Sequence, residues 1–159
     1  MTEPHRVPNL RLASFGRRLA AYLIDVLPIT AATAACFYLY LGFDERVLRY
    51  LDAPNDLNAR IAFMEQRNSI RDLSFFAYIL YCIVADASPL QGTIGKRILG
   101  LRVADAQGAR LTLSRSMGRS TVKIASIVPI GLGCLWALWS KEKRTWHDMA
   151  ANTMVLRRS

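Results

Sequence analysis

Two histidines and three cysteines are too few, and too scattered, to build a metal centre in this chain of 159 residues. His5 and His147 stand near opposite ends, and Cys36, Cys82 and Cys134 fall one in each of three apolar blocks without metal-ligand spacing. An odd cysteine count also argues against a disulfide framework, so the three read as small core- or lipid-facing side chains. A serine-nucleophile elbow and a dinucleotide fingerprint are both missing. Gly95-Lys96 has a superficial likeness to a phosphate loop, but Arg97 stands where Ser or Thr is needed and Leu90 where the first glycine belongs. The chain is therefore expected to be no enzyme, with no catalytic residues, no metal and no cofactor. A secretory signal is lacking as well. Residues 1–18 hold no apolar core, and the run that follows is too long and has no small-residue cleavage motif, so it is expected to stay as an anchor.

What is abundant is apolar sequence, and it comes in blocks. Residues 19–43 are 25 residues with one charge, Asp25; residues 73–90 are 18 with one charge, Asp86; residues 124–140 are 17 with none. A spanning helix needs roughly 20 apolar residues. The first block meets that and the other two are short for it. A soluble helical protein would alternate apolar and polar faces, and these blocks do not.

The formal charge is +9, and its distribution says more than its size. Residues 1–18, 91–123 and 141–159 together hold 16 of the 21 Lys and Arg, whereas 44–72 holds six acids against five bases. Basic segments stay on the cytoplasmic side, which places the first three inside and 44–72 outside. Two crossings return the chain inside, so the third block must start and end there, and 17 residues extend only about 25 Å as a helix. It is expected to be a re-entrant or broken hairpin, with Pro129-Ile130-Gly131-Leu132-Gly133 as the break and Trp136 and Trp139 at the interface. A single crossing against the charge rule is the alternative. The bases flank apolar blocks and no recognition motif accompanies them, so their partner is expected to be anionic lipid and not nucleic acid.

Between the blocks, Phe43, Val47, Leu48 and Leu51 form one apolar stripe, and Leu57, Ile61 and Met64 another. A turn at Asp52-Ala53-Pro54-Asn55 separates them. Amphipathic helices on the outer membrane surface are expected. Inside, Gly100–Asp105 and Ala109–Leu113 alternate apolar and polar residues around Ala106-Gln107-Gly108, the pattern of a β-hairpin. Ser114 is the expected cap of the next helix. Thr153–Leu156 has strand character and would add a third strand.

Among charged residues Asp25 is the most informative. It lies two helical turns after Arg18, on the same side, and about 10 Å into the first span. A carboxylate there is costly unless paired or hydrated. Pro28 follows and frees the carbonyl of Ile24 beside it, and free carbonyls near a carboxylate suit a cation. A structural ion pair with Arg18 or another base accounts for the same residues. Asp86 either shares depth with Asp25 or, as Asp86-Ala87-Ser88-Pro89, belongs to an interfacial turn. His147-Asp148 alone is weak evidence for a metal.

Three stretches together resemble the RDD family of membrane proteins. They are Phe15-Gly16-Arg17-Arg18-Leu19-Ala20-Ala21-Tyr22-Leu23-Ile24-Asp25, then Gln91-Gly92-Thr93-Ile94-Gly95-Lys96-Arg97-Ile98-Leu99-Gly100-Leu101-Arg102-Val103, then Arg144-Thr145-Trp146-His147-Asp148-Met149-Ala150-Ala151-Asn152-Thr153-Met154-Val155-Leu156. The resemblance places the family's Arg and two Asp at Arg18, Asp25 and Asp148. Trp146 stands where the family often has an aliphatic residue and Asn152 where it often has glycine. The resemblance implies a bacterial inner-membrane protein with few spans and no settled activity.

The whole chain, 1–159, is thus expected to be one all-α membrane domain with two transmembrane helices, a third re-entrant or broken segment and a short cytoplasmic β-sheet. Arg18, Asp25 and Asp148 are expected to form a charge cluster, structural or ion-binding, with Asp86, Lys96 and His147 as further candidates. Two functions fit. One is a non-catalytic accessory or transport-associated subunit that contacts other membrane proteins or a second copy; the other is a cation or proton transporter using Asp25. Both put the protein in the inner membrane as a multi-pass protein with cytoplasmic termini. Reporter fusions at Gln107 and Ser159 should then give cytoplasmic signals and a fusion at Asn55 a periplasmic one. A periplasmic reading at Ser159 would mean that the third block crosses once.

Overall fold

The computed structural model describes residues 12–105, 107–127 and 145–157. The element order is α1 (Phe15–Tyr40), α2 (Phe43–Asp52), α3 (Leu57–Ala87), α4 (Ile94–Ile98), β1 (Leu101–Asp105), α5 (Leu113–Ile127), α6 (Trp146–Ala150) and β2 (Thr153–Arg157). They fall into two compact units, Ile24–Leu80 in one and Met1–Leu23 with Tyr81–Ser159 in the other. The N-terminal tail with His5, and the greater part of the third apolar block with its Pro-Gly break, Cys134, Trp136 and Trp139, lie outside the described residues.

In the unit containing the termini, an antiparallel pair organises the apolar core. β1 and β2 run in register from Leu101 opposite Arg157 to Asp105 opposite Thr153, which sets Val103 across from Val155. Alternation along a strand sends Leu101 and Val103 to one face. There they pack with Val155, Ala13, Ala21 and Leu111, all buried. Two strands alone are marginal in water, and here both outer edges are occupied. The Ala13 N–H donates to the Val155 carbonyl at 2.9 Å, and the Val103 N–H donates to the Gln91 carbonyl at 2.6 Å. The turn from α6 into β2 needs a left-handed residue, and Asn152 takes it with φ 48°. Asparagine is among the few non-glycine residues that tolerate this region, which explains how it stands in for the glycine common at that point.

The expected hairpin is replaced by this pairing. Ala109–Thr112 is not a strand. Asp105 Oδ1 accepts from the N–H groups of Gln107 and Ala109 at 3.0 and 2.8 Å, closing a tight turn that turns the chain away before a ladder forms. The edge of β1 that a hairpin would use is taken by Gln91. The cap of α5 also moves, from Ser114 to Thr112, whose Oγ1 accepts from the Arg115 N–H at 3.4 Å.

The other unit contains the Ile24–Tyr40 part of α1, all of α2 and the first 24 residues of α3, Leu57–Leu80. Gly42 reverses the chain after α1 with φ 62°. Phe63 of α3 then stacks on Tyr50 and Phe43 of α2, with ring centroids 4.7 and 6.0 Å apart. The turn at Ala53–Asp56 is present, closed by the Asp56 N–H on the Ala53 carbonyl. Beyond it, the expected surface helix and the expected second span are one helix of 31 residues. Its sequence contains neither proline nor glycine to break it; Ser88-Pro89 ends it, as the residue before proline disfavours the helical region.

In this unit Ala59, Ile70, Tyr78 and Ile79 are buried, and burial also includes polar side chains while large apolar ones face outward. Asp25, Gln66 and Ser74 are buried, whereas Leu27, Leu39, Phe76 and Leu80 are each about 60–70% exposed. Gln66 satisfies itself on the Leu41 carbonyl at 2.8 Å and Ser74 on Ile70 at 2.7 Å. Polar groups turned inward and bonded, with large apolar groups outward, is the arrangement that lipid demands. Among the described residues α1 is the helix long and apolar enough to cross a membrane. In α3 the apolar stretch carries Arg71, Asp72 and Asp86 within its last 17 residues.

The core of the sheet should be the stability-determining part. Leu101→Ala is expected to cost about 2–5 kcal/mol, the usual penalty for emptying a buried leucine site. Leu27→Ala, at an outward position, should change little. Denaturant unfolding of both variants in detergent micelles checks this, and equal losses would contradict it.

Candidate functional site

Five charged side chains that are distant in sequence meet in the unit holding the termini. Asp148 is fully buried in α6, where it occupies the third helical position after Thr145. One oxygen, Oδ2, accepts from the Thr145 N–H at 3.3 Å, one half of a capping box. The same oxygen accepts from Arg18 Nη1 in the first turn of α1. The other oxygen, Oδ1, accepts from Arg119 of α5 twice, from Nε at 3.0 Å and from Nη2 at 2.8 Å.

Arg119 has a third donor, and it uses it elsewhere. Its Nη1 reaches Asp86 Oδ2, near the end of α3, at 2.8 Å. Lys96 of α4 completes the chain, with Nζ 2.6 and 2.8 Å from the two oxygens of Asp86. The ion pairs therefore run Arg18–Asp148–Arg119–Asp86–Lys96, and they tie α1, α6, α5, α3 and α4 together. Asp86 is inside the helix and not in an interfacial turn, because α3 continues to Ala87. Gly92 makes the approach of Lys96 possible: a Cβ at that position would lie 3.3 Å from Lys96 Cβ and 3.4 Å from its Cδ.

The surrounding contacts are polar and directed. The last four carbonyls of α3, those of residues 84–87, lack helical partners, and side chains of the basic segment reach this end of the helix. The Ile83 carbonyl accepts from Ser116 Oγ and that of Ala87 from Arg110 Nε, both at 2.8 Å. Along α5 the bases recur every fourth residue, and each finds a different partner. Arg115 lies 3.3 Å from Asp105, Arg119 bridges the two buried aspartates, and Lys123 Nζ is 3.5 Å from Cys82 Sγ.

Burial and charge oppose each other at the two cations best placed to show it. At Lys96, burial dominates and holds the ammonium below its ordinary pKa even with Asp86 beside it. At Arg119, burial works in the same direction, but Asp148 and Asp86 together outweigh it and raise the pKa. Arg119 is thus charged at any accessible pH. With three cations on two carboxylates, every carboxylate oxygen accepts from a cation. A metal cation would have to displace a base from either aspartate. Among the described residues no group of His, Cys, Asp and Glu is arranged to hold a metal ion.

The sequence candidates are distributed as follows. Arg18, Asp148, Asp86 and Lys96 are in this network. Asp25 is buried in the other unit, Ile24–Leu80, with Pro28 three residues on in the same helix. His147 has its backbone in α6, and its side chain lies outside the described residues. Arg119, the central member, was not singled out from the sequence, where it is one of seven bases in a basic segment. The readable signal was the four-residue spacing of Arg115, Arg119 and Lys123 beside the small Ser116 and Ser120, which marks one polar helix face.

The model of the RDD family matches residues 12–152 of the chain. A protein of Bacillus subtilis (strain 168), described as uncharacterized protein YxaI, is 36% identical over 158 residues, covering 91% of this chain and 96% of its own. No solved structure matches.

Because Arg119 serves both aspartates, its loss leaves two buried carboxylates short of a partner. Arg119→Gln is expected to cost about 3–5 kcal/mol, the range for breaking a buried ion pair. Arg119→Lys should not restore the protein, since an ammonium cannot reproduce a three-nitrogen bridge. Arg18→Gln should cost less, as Arg18 Nε and Nη2 have no hydrogen-bond partner among the described residues. Yield and thermal unfolding of the three variants in detergent measure the ranking. An Arg18 loss as large as that of Arg119 would overturn it.

Proposed function

The chain belongs to the RDD family, and from that premise we propose that it is a non-catalytic accessory or transport-associated membrane subunit. One observation carries the reading: Asp86 and Asp148 are saturated by Arg18, Arg119 and Lys96. Carboxylates so occupied hold helices together; they do not exchange ions. The network joins the start of α1 to the end of α3 and to α4, α5 and α6, and each unit carries exposed large apolar side chains. Such surfaces suit lipid and neighbouring membrane proteins, including a second copy of the chain. In this reading the protein is a multi-pass protein of a bacterial inner membrane, with both termini and the basic segment on the cytoplasmic side against anionic lipids.

A second reading rests on Asp25. This carboxylate is buried in the helix able to span a bilayer, and Pro28 gives no N–H to the Ile24 carbonyl beside it. Intramembrane carboxylates next to a helix irregularity are where cations and protons bind in transporters. That reading makes Asp25 the ion-binding carboxylate.

Reconstitution separates the two. Purified protein in proteoliposomes loaded with a pH dye should show no pH change when sodium or potassium gradients are imposed. A gradient-driven pH change that Asp25→Asn abolishes, with folding intact, would establish the transporter and overturn the accessory role. The accessory reading expects Asp25→Asn to act on folded yield instead.

A further inference from the structure

The two helices that supply Lys96 and Arg119 have their amphipathic faces inverted. On α4, Lys96 is buried, whereas Ile94 and Ile98, about half a turn to either side, are 63% and 65% exposed. On α5, Ser116, Arg119 and Ser120 are buried, whereas Leu113 and Met117 are more than half exposed and Ile124 is exposed as well. Leu113, Met117 and Ile124 follow the i, i+4, i+11 spacing of one helix face. A helix that turns its charges in and its branched apolar residues out is unfavourable in water and favourable against hydrocarbon.

Charge selects what covers these faces. Neither α4 nor α5 contains an acid. Arg97 on α4 is exposed between Ile94 and Ile98; Arg110 and Arg115 are exposed as well, with Arg110 Nε on the Ala87 carbonyl and Arg115 on Asp105. Exposed apolar residues whose exposed charged neighbours are arginines fit an anionic lipid surface, where the apolar chains enter the acyl boundary and basic groups stay near the phosphates. We propose that α4 and α5 lie in the headgroup layer of the anionic leaflet as interfacial helices, held at that depth from their buried side by Asp86. The proposal deepens the reading of the basic segment as a lipid-facing surface and rests on that assignment.

Depth measurement on the full chain tests it. In a cysteine-free background, Ile98→Cys, Met117→Cys and Gln107→Cys are labelled with an environment-sensitive fluorophore. Each is reconstituted in phosphatidylcholine vesicles with and without phosphatidylglycerol, and quenched by nitroxide carried on the upper acyl chain. Labels at 98 and 117 should be quenched about twofold more than the label at 107 in the anionic vesicles, and less so in the zwitterionic ones or at high salt. Should Met117→Cys fail to fold, Leu113→Cys replaces it on the same face. Equal quenching at all three sites overturns the proposal. Equal quenching with and without phosphatidylglycerol overturns the choice of anionic lipid. Labels shielded from water but untouched by the lipid nitroxide would mean that protein covers these helices, and overturn it too. A gradient-driven pH change in the transport assay would end the accessory reading without moving the labels, so the two failures are distinguishable.

Discussion

The guanidinium of Arg119 is the joint on which the unit holding the termini depends. Its three nitrogens are divided between two aspartates, Nε and Nη2 on Asp148 and Nη1 on Asp86. Only arginine has a planar fork that can face two carboxylates at once. Desolvating five charges is expensive, and a buried pair is weak evidence for net stability. What the chain of pairs supplies is geometry. Each charge has one satisfactory place, so α1, α3, α4, α5 and α6 are set by the requirement that no carboxylate is left without a base. An apolar core of six small and medium residues under a two-stranded sheet would not impose that by packing alone.

From the same constraint follows where the apolar surface goes. In this unit the ion pairs share the interior with the sheet core, and the apolar residues of α4 and α5, Ile94, Ile98, Leu113, Met117 and Ile124, are outside. In the second unit Gln66 and Ser74 are turned inward onto backbone carbonyls, and Leu27, Leu39, Phe76 and Leu80 of α1 and α3 are outward. Both patterns agree with a chain solvated by lipid, and membership of the RDD family is consistent with it. The network also separates two roles that a reading of charges alone merges. Asp86 and Asp148 are held by bases on every oxygen, and Asp25 is buried in α1, the helix able to span a bilayer.

Parts of this were legible in the residues. The long first helix, the turn before Asp56 and the strand at Thr153 follow from apolar length, turn chemistry and alternation. Family motifs gave the place of Arg18 and Asp148. Other parts were not legible, for local reasons. Ala109–Leu113 alternates as a strand would, but Asp105 captures the turn amides and Gln91 takes the edge that a hairpin needs. Asp86 sits just before Ser-Pro and reads as a turn, yet the helix has no breaker until Pro89. Arg119 looked like one base among many, because partner choice is a property of three dimensions.

The sequence by itself determined which segments are apolar, which are basic, and that a carboxylate is enclosed in the first long helix, since these depend only on composition along the chain. Hydrophobic length and helix breakers act within a few residues, so they can be read in order. Tertiary structure alone decided which charges neutralise one another. Arg18 and Asp148 are 130 positions apart, and Arg119 and Asp86 33. No local rule links such positions. They are joined because a buried charge must find its counter-charge wherever folding brings it, and that is settled only when all the helices are in place.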